Sequence, residues 1–399
     1  MMIPANPEHY RPIRALDLPA IDRPALLDGS ADGVWIAPPG TPRHFIRGEP
    51  AFRDDPDGAG LFANDLGPCP VTYPPAFAVG ARNIRVVGYR TILTADGAFF
   101  NDAPGADARG FPAYLDRLAQ TGDHFANEQT GLARSGDRFT FAPGARRTER
   151  IDGPVLVLCA TEPANYGSFL FRVLPKLAMF GSVPPDWPVL AHLSHGQYGE
   201  LLELAGIAPA RIVPHDPGAI WDIGRAVVPG LRNPEAYLDD ASRGFYAGLK
   251  ARHGFGRSGE GRSGAGRRIY VSRRDLGGHG RRMVNEAALE VALAGKGFEI
   301  IRPHLMSARA QIAAFADAHM VVGPSGAALF NCVFCAPGTV LIDIESEPYW
   351  IHAHACLFSS CELVWGVFEG KTLDRDFNVI HKPFTVNIPA LLRRIDRFR

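Results

Sequence analysis

The strongest constraint on the fold is a regular alternation of apolar strands and helices in the last third of the sequence. The strand segments are short runs rich in Val and Ile, which are typical of parallel strands buried on both faces. This pattern predicts a parallel, right-handed α/β layer of the nucleotide-binding type. In chain order the predicted elements are a strand at 268–272, a helix at 284–296, a strand at 298–301, a helix at 307–318, a strand at 319–322 and a strand at 339–344.

Inside this layer, the segment 319–331 is predicted to form a strand, a tight turn and a helix. Gly323 and Pro324 should end the strand, and Ser325 stands where the N-cap of the helix is expected. Gly326 has no side chain, so a phosphate could approach the backbone closely. Free N–H groups at a helix start favour an anion, although the same pattern also occurs at ordinary strand-to-helix turns.

Composition limits the function classes. The chain has 399 residues, 46% of them hydrophobic, with 42 basic and 42 acidic side chains and a formal net charge of zero. This balance argues against a general nucleic-acid binder, and the length suggests two or three domains. No stretch resembles a signal peptide or a membrane span. We therefore expect a cytoplasmic protein, with peripheral association at the inner membrane face left open and the oligomeric state undetermined.

The pattern of elements suggests how the chain is divided. The first part is rich in Pro and Gly and contains strand signals, and a glycine-rich stretch interrupts the later α/β pattern. We expect the final extension to pack back on the first α/β lobe. The predicted segments are a β-rich N-terminal portion (1–150), a first α/β lobe on the acceptor side (151–253), a linker (254–266), a nucleotide-binding α/β lobe (267–366) and a C-terminal extension (367–399).

Two pairs of polar residues follow the first strand of the later layer. Arg273 and Arg274 come directly after it, where side chains can reach the ligand crevice of a parallel sheet. Their planar guanidinium groups match the geometry of phosphate. Asn285 and Glu286 open the next helix. They could cap the helix, or they could position Arg273 or bind a sugar hydroxyl, and the sequence leaves these alternatives open.

Four motifs follow one another in the chain, at 165–177, 268–273, 282–286 and 323–331. Together they resemble glycosyltransferase family 61, whose bacterial members are often called capsular polysaccharide biosynthesis proteins. The resemblance covers roughly residues 155–345. It implies a GT-B-like α/β fold of two Rossmann-type lobes preceded by the β-rich portion. It also implies inverting transfer from a nucleotide-sugar without a metal or another cofactor.

The resemblance also assigns residues to substrates. The donor would be held by the second lobe, through Arg273, Arg274, Asn285, Glu286, Ser325, Gly326, Ala327 and Asn331. The glycan acceptor would contact the first lobe, through Asn165, Tyr166, Ser168 and Arg172.

This sequence departs from the family at three places. Ser325 replaces the histidine of the usual His-Gly-Ala-Gly, Ser168 and Phe169 replace a His-Trp pair, and Arg172 stands where an acid is common. The positive charge of Arg172 would favour an anionic acceptor.

Because the usual histidine and acid are replaced, the catalytic base must be a different residue. Glu162, after the first strand of the middle lobe, is our candidate, with Asp275 and His279 as weaker ones. For Glu162 the more ordinary explanation is a solvated loop carboxylate, and Asp275 and His279 lie in a glycine-rich loop.

Cysteine and histidine residues near the C-terminus allow a metal hypothesis. Cys332 and Cys335 are more typical of small core side chains than of ligands. If His352, His354 and Cys356 lay on a strand, they would share one face near Cys361 and could bind zinc, but core packing is favoured here too. We therefore expect no metal site.

The sequence thus predicts a glycosyltransferase that moves a sugar from a nucleotide-sugar to a glycan acceptor in polysaccharide biosynthesis. A non-catalytic nucleotide-sugar or glycan-binding protein of the same fold is the alternative, because motif residues are replaced. A dinucleotide oxidoreductase is disfavoured, since no Gly-x-Gly-x-x-Gly follows a strand.

Overall fold

The structure is a computed structural model that describes residues 9–58, 60–61, 66–102, 132–135, 138–158, 160, 162–180, 183–256, 266–276, 281–373 and 381–398. Its strands are β1 (Arg11–Pro12), β2 (Gly33–Ile36), β3 (Arg43–Arg47), β4 (Phe52–Asp54), β5 (Cys69–Tyr73), β6 (Phe77–Val87), β7 (Thr91–Leu93), β8 (Ala98–Phe100), β9 (Leu132–Ser135), β10 (Arg138–Phe141), β11 (Thr148–Leu158), β12 (Val189–Ala191), β13 (Ile212–Pro214), β14 (Ile220–Pro229), β15 (Arg267–Val271), β16 (Glu299–Ile301), β17 (Ala318–Pro324), β18 (Val340–Glu345), β19 (Val364–Glu369), β20 (Lys371–Thr372) and β21 (Phe384–Thr385).

The α-helices are α1 (Arg23–Asp28), α2 (Tyr166–Ser168), α3 (Gly196–Leu204), α4 (Asp240–His253), α5 (Glu286–Ala294), α6 (Ala308–Ala316), α7 (Ile351–Ser360) and α8 (Ile388–Asp396). After α2 the helical path continues as a π-helix (Phe169–Val173) and a 3-10 helix (Leu174–Met179). A 3-10 helix also follows β17 (Ala327–Phe334). None of the helices in the described ranges has the length and apolar content needed to cross a membrane.

The fold is mixed α/β, and the chain divides into two compact units that each combine two separate segments. The first unit contains Met1–Arg43 and Thr72–Arg232, and the second contains His44–Val71 and Asn233–Arg399. The predicted β-rich portion and first α/β lobe are therefore not separate bodies. They share one sheet, because β6 pairs with β14 in antiparallel register from Val87–Ile220 to Ala78–Pro229.

The first unit is built on a mixed sheet with the order β1-β8-β7-β6-β14-β11-β12-β13, and β2 pairs with β6. Strands β6, β7 and β8 form an antiparallel series. Strand β11 pairs in parallel with β12 and β14, and β12 pairs in parallel with β13. Val155, Val157 and Ile223 are fully or almost fully buried in the apolar core under these strands. The alternating pattern of the sequence thus produces parallel strands here too.

The second unit is built on a fully parallel sheet with the order β16-β15-β17-β18-β19-β4. This confirms the predicted parallel layer. Tyr270, Val322 and Ile342 are buried against the helix residues Leu289 and Leu293. Strand β4 comes from the N-terminal part of the chain and had no counterpart in the sequence prediction. It pairs with β19, where a Cβ atom on Gly366 would lie 2.4 Å from the ring of Phe52.

Two expectations about chain organisation are wrong. The C-terminal helix α8 packs within the second unit and not on the first lobe, because Leu391 and Ile395 complete the same core as Leu289. The glycine-rich stretch does not separate the units, since both α4 before it and β15 after it belong to the second unit. Residues 257–265 of that stretch lie outside the described part of the chain.

Candidate functional site

The carboxyl ends of strands β15, β17 and β18 lie side by side in the parallel sheet of the second unit. These strands are neighbours in parallel register, so the residues that follow them meet at one edge. This edge is where ligands bind in open parallel sheets. The predicted donor residues Arg273, Ser325 and Gly326 all lie here, together with Glu345 at the end of β18 and Glu347 just after it.

The backbone carbonyl of Ser325 gathers two arginine side chains. Arg273 donates to it from Nη1 at 2.5 Å, and Arg281 donates from Nη2 at 2.9 Å. Gly326 is required beside them, because a Cβ atom there would lie 2.6 Å from Arg273 Nη1 and its backbone φ is 155°. The sequence analysis therefore found the turn, but it did not single out Arg281.

The two guanidinium groups form a concentrated positive charge. Burial, followed by the repulsion from Arg281, lowers the pKa of Arg273 to about 10. Arg281 is 9% exposed, and its Nε and Nη1 atoms have no hydrogen-bond partner within the described ranges. Nη1 lies 3.5 Å from Glu345, which offsets part of the charge. Donors that are buried without partners are costly, so an anion at this place would stabilise both arginines.

Glu286 and Asn285 make bonds within the protein. Glu286 accepts the Tyr270 hydroxyl at 3.0 Å and the backbone N–H of Arg273 at 2.8 Å. Burial raises the pKa of Glu286. Asn285 exchanges hydrogen bonds with the backbone of Val386. The sequence left several roles open for Glu286. The geometry supports the positioning of Arg273, because the carboxylate of Glu286 holds the Arg273 backbone N–H.

Ser325 does not cap the following helix with its side chain. The helix is a 3-10 helix whose N-cap is Gly326, without a side-chain capping bond. The Ser325 hydroxyl instead lies 2.8 Å from Nδ1 of His354, and the same nitrogen lies 2.8 Å from Oδ2 of Asp343. The expected cap is therefore wrong, because a buried imidazole on α7 takes the hydroxyl.

The acidic face of β18 is the place where a cation could be held. Ligand atoms of Asp343, Glu345 and His354 lie within 4.8 Å of one another, and all three residues are buried. Burial and the neighbouring Asp343 raise the pKa of Glu345. The direct bond between His354 and Asp343, and the guanidinium of Arg281 beside Glu345, already balance part of this cluster without an ion.

The remaining predicted donor residues have different surroundings. Arg274 is paired with Glu290 at 3.1 Å. Asn331 is fully buried and donates to the Gln311 side chain and to the carbonyl of Ala328, so it joins the 3-10 helix to α6. Ala327 is the first residue of that 3-10 helix.

In the first unit, the predicted acceptor residues come together after β11. Arg172 Nη1 lies 3.1 Å from Glu162 Oε2 and 3.4 Å from the Ser168 hydroxyl. Asn165 caps α2 by accepting from the N–H groups of Gly167 and Ser168. Tyr166 stacks near Tyr198, with ring centroids 6.2 Å apart. The positive charge of Arg172 is therefore offset by the very carboxylate that we predicted as the base.

Histidines at the same edge were missed by the sequence prediction. His192 follows β12 and His215 follows β13, and Nδ1 of His192 lies 3.3 Å from the His215 carbonyl. Burial lowers the pKa of both, that of His215 to about 4. A neutral imidazole can accept a proton, so His192 is a second candidate base. The signal available in the sequence was the short apolar run that ends just before each histidine.

The weaker candidates for the base and for a zinc site have other surroundings or lie outside the described residues. Asp275 is paired with Arg302 at 2.6 Å, and His279 lies outside the described residues. The zinc hypothesis assumed a strand, but the three residues lie on helix α7. His352 and Cys356 share one face there, whereas His354 points to Ser325 and Asp343, so the three do not converge on one site. The thiols of Cys332 and Cys335 are buried, as expected for small core side chains.

Comparison with known families agrees with the motifs. The family model described as Glycosyltransferase 61 matches residues 166–342, which include the segment after β11 and the arginines after β15 in the second unit. No curated protein matches the chain. Over residues 166–342 the chain is therefore similar to glycosyltransferase family 61.

Proposed function

We propose that the protein transfers a sugar from a nucleotide-sugar to a glycan acceptor in polysaccharide biosynthesis, with inversion and without a metal. The similarity of residues 166–342 to glycosyltransferase family 61 supports glycosyltransferase activity in general terms. The proposal includes a GT-B-like division of labour, in which the second unit holds the donor and the first unit holds the acceptor. The observation that carries it is the pair of guanidinium groups, from Arg273 and Arg281, on the carbonyl of Ser325.

The leaving diphosphate needs positive charge that is already in place. Arg273 and Arg281 supply this charge at the end of β17. The carboxylate of Glu286 accepts the backbone N–H of Arg273 and so fixes the backbone there. Charges fixed before the reaction stabilise developing negative charge without reorganisation. Because two guanidiniums can neutralise a diphosphate, the transfer does not require a cation.

The acceptor hydroxyl needs a base. Glu162 remains our proposed base, held by Arg172, because a carboxylate oxygen can accept a proton from a hydroxyl. His192 is the alternative, because its lowered pKa keeps the imidazole neutral. A pH profile separates them, since replacement of the true base removes the acidic limb of kcat/KM.

The test is calorimetry with inorganic pyrophosphate and with UDP, GDP, ADP and CMP, followed by transfer assays with the matching nucleotide-sugars. We expect Arg281→Gln and Arg273→Ala each to weaken pyrophosphate binding by roughly 10- to 150-fold, the effect of losing a hydrogen bond to a charged group. Arg273→Lys should restore little, because the fork geometry is lost.

The exposed Arg309 offers a matched control, and Arg309→Gln should leave the affinity unchanged. Failure of the wild-type protein to bind pyrophosphate or any of the nucleotides would overturn the proposed donor site. Full rescue by Arg273→Lys would show that the arginine acts only as a diffuse charge.

A further inference from the structure

Two large aromatic side chains are exposed in the segment that follows β18. Tyr349 is 54% exposed and Trp350 is 42% exposed. They lie between the end of β18 at Glu345 and the start of α7 at Ile351, at the carboxyl edge of the sheet. A single exposed apolar residue is ordinary on a protein surface. Two adjacent rings at the ligand-binding edge of a parallel sheet are better explained by a ligand.

The aromatic pair is linked to the arginines through one short chain of bonds. The carbonyl of Trp350 accepts the backbone N–H of His354 at 3.2 Å. His354 Nδ1 lies 2.8 Å from the hydroxyl of Ser325, whose carbonyl receives the two guanidinium groups. Trp350 is therefore one helical turn away from His354, which contacts Ser325.

A buried acceptor lies in the same segment. Glu347 is 4% exposed, and its Oε1 accepts the backbone N–H of Lys382 at 2.9 Å. Its Oε2 has no hydrogen-bond partner in the part of the chain that the structure describes, and His381 Nδ1 is 3.7 Å away. A ligand hydroxyl would satisfy this oxygen, whereas a purely apolar partner would leave it buried without a donor.

We propose that Tyr349 and Trp350 form a stacking platform for the nucleobase of the donor, and that Glu347 accepts a hydrogen bond from the adjoining ribose. This inference rests on the proposed function, because it places the nucleoside next to a diphosphate held by Arg273 and Arg281. A nucleoside fits all three features, since it combines a planar ring, sugar hydroxyls and an attached diphosphate. Aromatic stacking tolerates every base, so the platform supplies affinity and the choice of base is left to other contacts.

The experiment compares inorganic pyrophosphate with UDP, GDP, ADP and CMP by calorimetry on the full chain. Tyr349→Ala/Trp350→Ala should weaken the best-bound nucleotide by about 5- to 150-fold, the effect of losing a stacked base. The affinity for pyrophosphate should stay within twofold, because the arginines are untouched. Trp350→Phe should restore most of the nucleotide affinity, since a planar ring is kept.

Val364→Ala is the matched control, because Val364 is 37% exposed and opens β19 at the opposite edge of the same sheet. It should leave both affinities unchanged.

The outcomes separate this inference from the proposed function. Unchanged nucleotide affinity in the double variant, with the wild-type protein binding pyrophosphate, overturns the platform and leaves the donor site in place. A rise only in the acceptor KM would assign the rings to the acceptor and also overturn it. Loss of pyrophosphate affinity in the double variant would show that the change disturbs the arginine site. No binding by the wild-type protein would refute both proposals.

Discussion

Gly326→Ala tests the arginine site with the smallest possible change. The new Cβ atom would lie 2.6 Å from Nη1 and 3.2 Å from Cζ of Arg273, and 3.6 Å from Nη2 of Arg281. Real Cβ atoms do not approach other atoms this closely, so the guanidinium of Arg273 must move away. The hydrogen bond of 2.5 Å to the Ser325 carbonyl is then broken, while Arg281 stays in place.

The expected magnitude follows from that one bond. A hydrogen bond to a charged group contributes about 1.5–3 kcal/mol, which corresponds to roughly 10- to 150-fold in affinity. Pyrophosphate binding should weaken by this factor in calorimetry. The backbone φ of 155° also disfavours alanine, so thermal unfolding should occur at a lower temperature.

The control is Gly248→Ala in helix α4 of the same unit. A Cβ atom there would have no neighbour within 4 Å, so affinity should not change and stability should rise by about 0.4–1 kcal/mol. Wild-type affinity in Gly326→Ala would refute the assignment of the phosphate to this turn. The larger change Gly326→Asp should abolish binding, because its carboxylate would face the phosphates.

Three further outcomes are expected. Burial lowers the pKa of His215 from 6.5 to about 4, so the neutral imidazole contributes fully to the free energy of unfolding above pH 6.5. That free energy should fall by about 3 kcal/mol as the pH drops to 4. In His215→Leu, the free energy of unfolding from chemical denaturation should not show this fall. Transfer should persist in excess EDTA, whereas loss of activity that Mn²⁺ restores would instead assign a cation to the cluster of Asp343, Glu345 and His354. Glu162→Gln should lower kcat by about 10²- to 10⁴-fold with donor affinity intact, and near-normal turnover would leave His192 as the base.

Local sequence was sufficient for the elements of the second unit and for part of its site. The β-branched runs around Tyr270, Val322 and Ile342 predicted parallel strands, because strands buried on both faces must be apolar throughout. The turn at Gly326 and the position of Arg273 followed from the same pattern, since residues after parallel strands meet at one edge.

The tertiary structure decided which side chains complete the site. Arg281 lies eight positions beyond Arg273, and only the folded chain brings its guanidinium to the same carbonyl. Ser325 has the right residue type for a cap, but His354 on a distant helix takes its hydroxyl. Arg172 and Glu162 each suggested a separate role in the sequence, and their ion pair makes those roles dependent on each other.

The division into units was also beyond local sequence. A composition shift suggested a boundary in the glycine-rich stretch, yet β4 from the N-terminal part pairs with β19, and Leu391 of the C-terminal helix joins the core of Leu289. Local propensity sets which segments form strands and helices, because it depends on neighbours along the chain. Strand partners and the burial of long side chains depend on contacts between distant segments, and these exist only after the chain has folded.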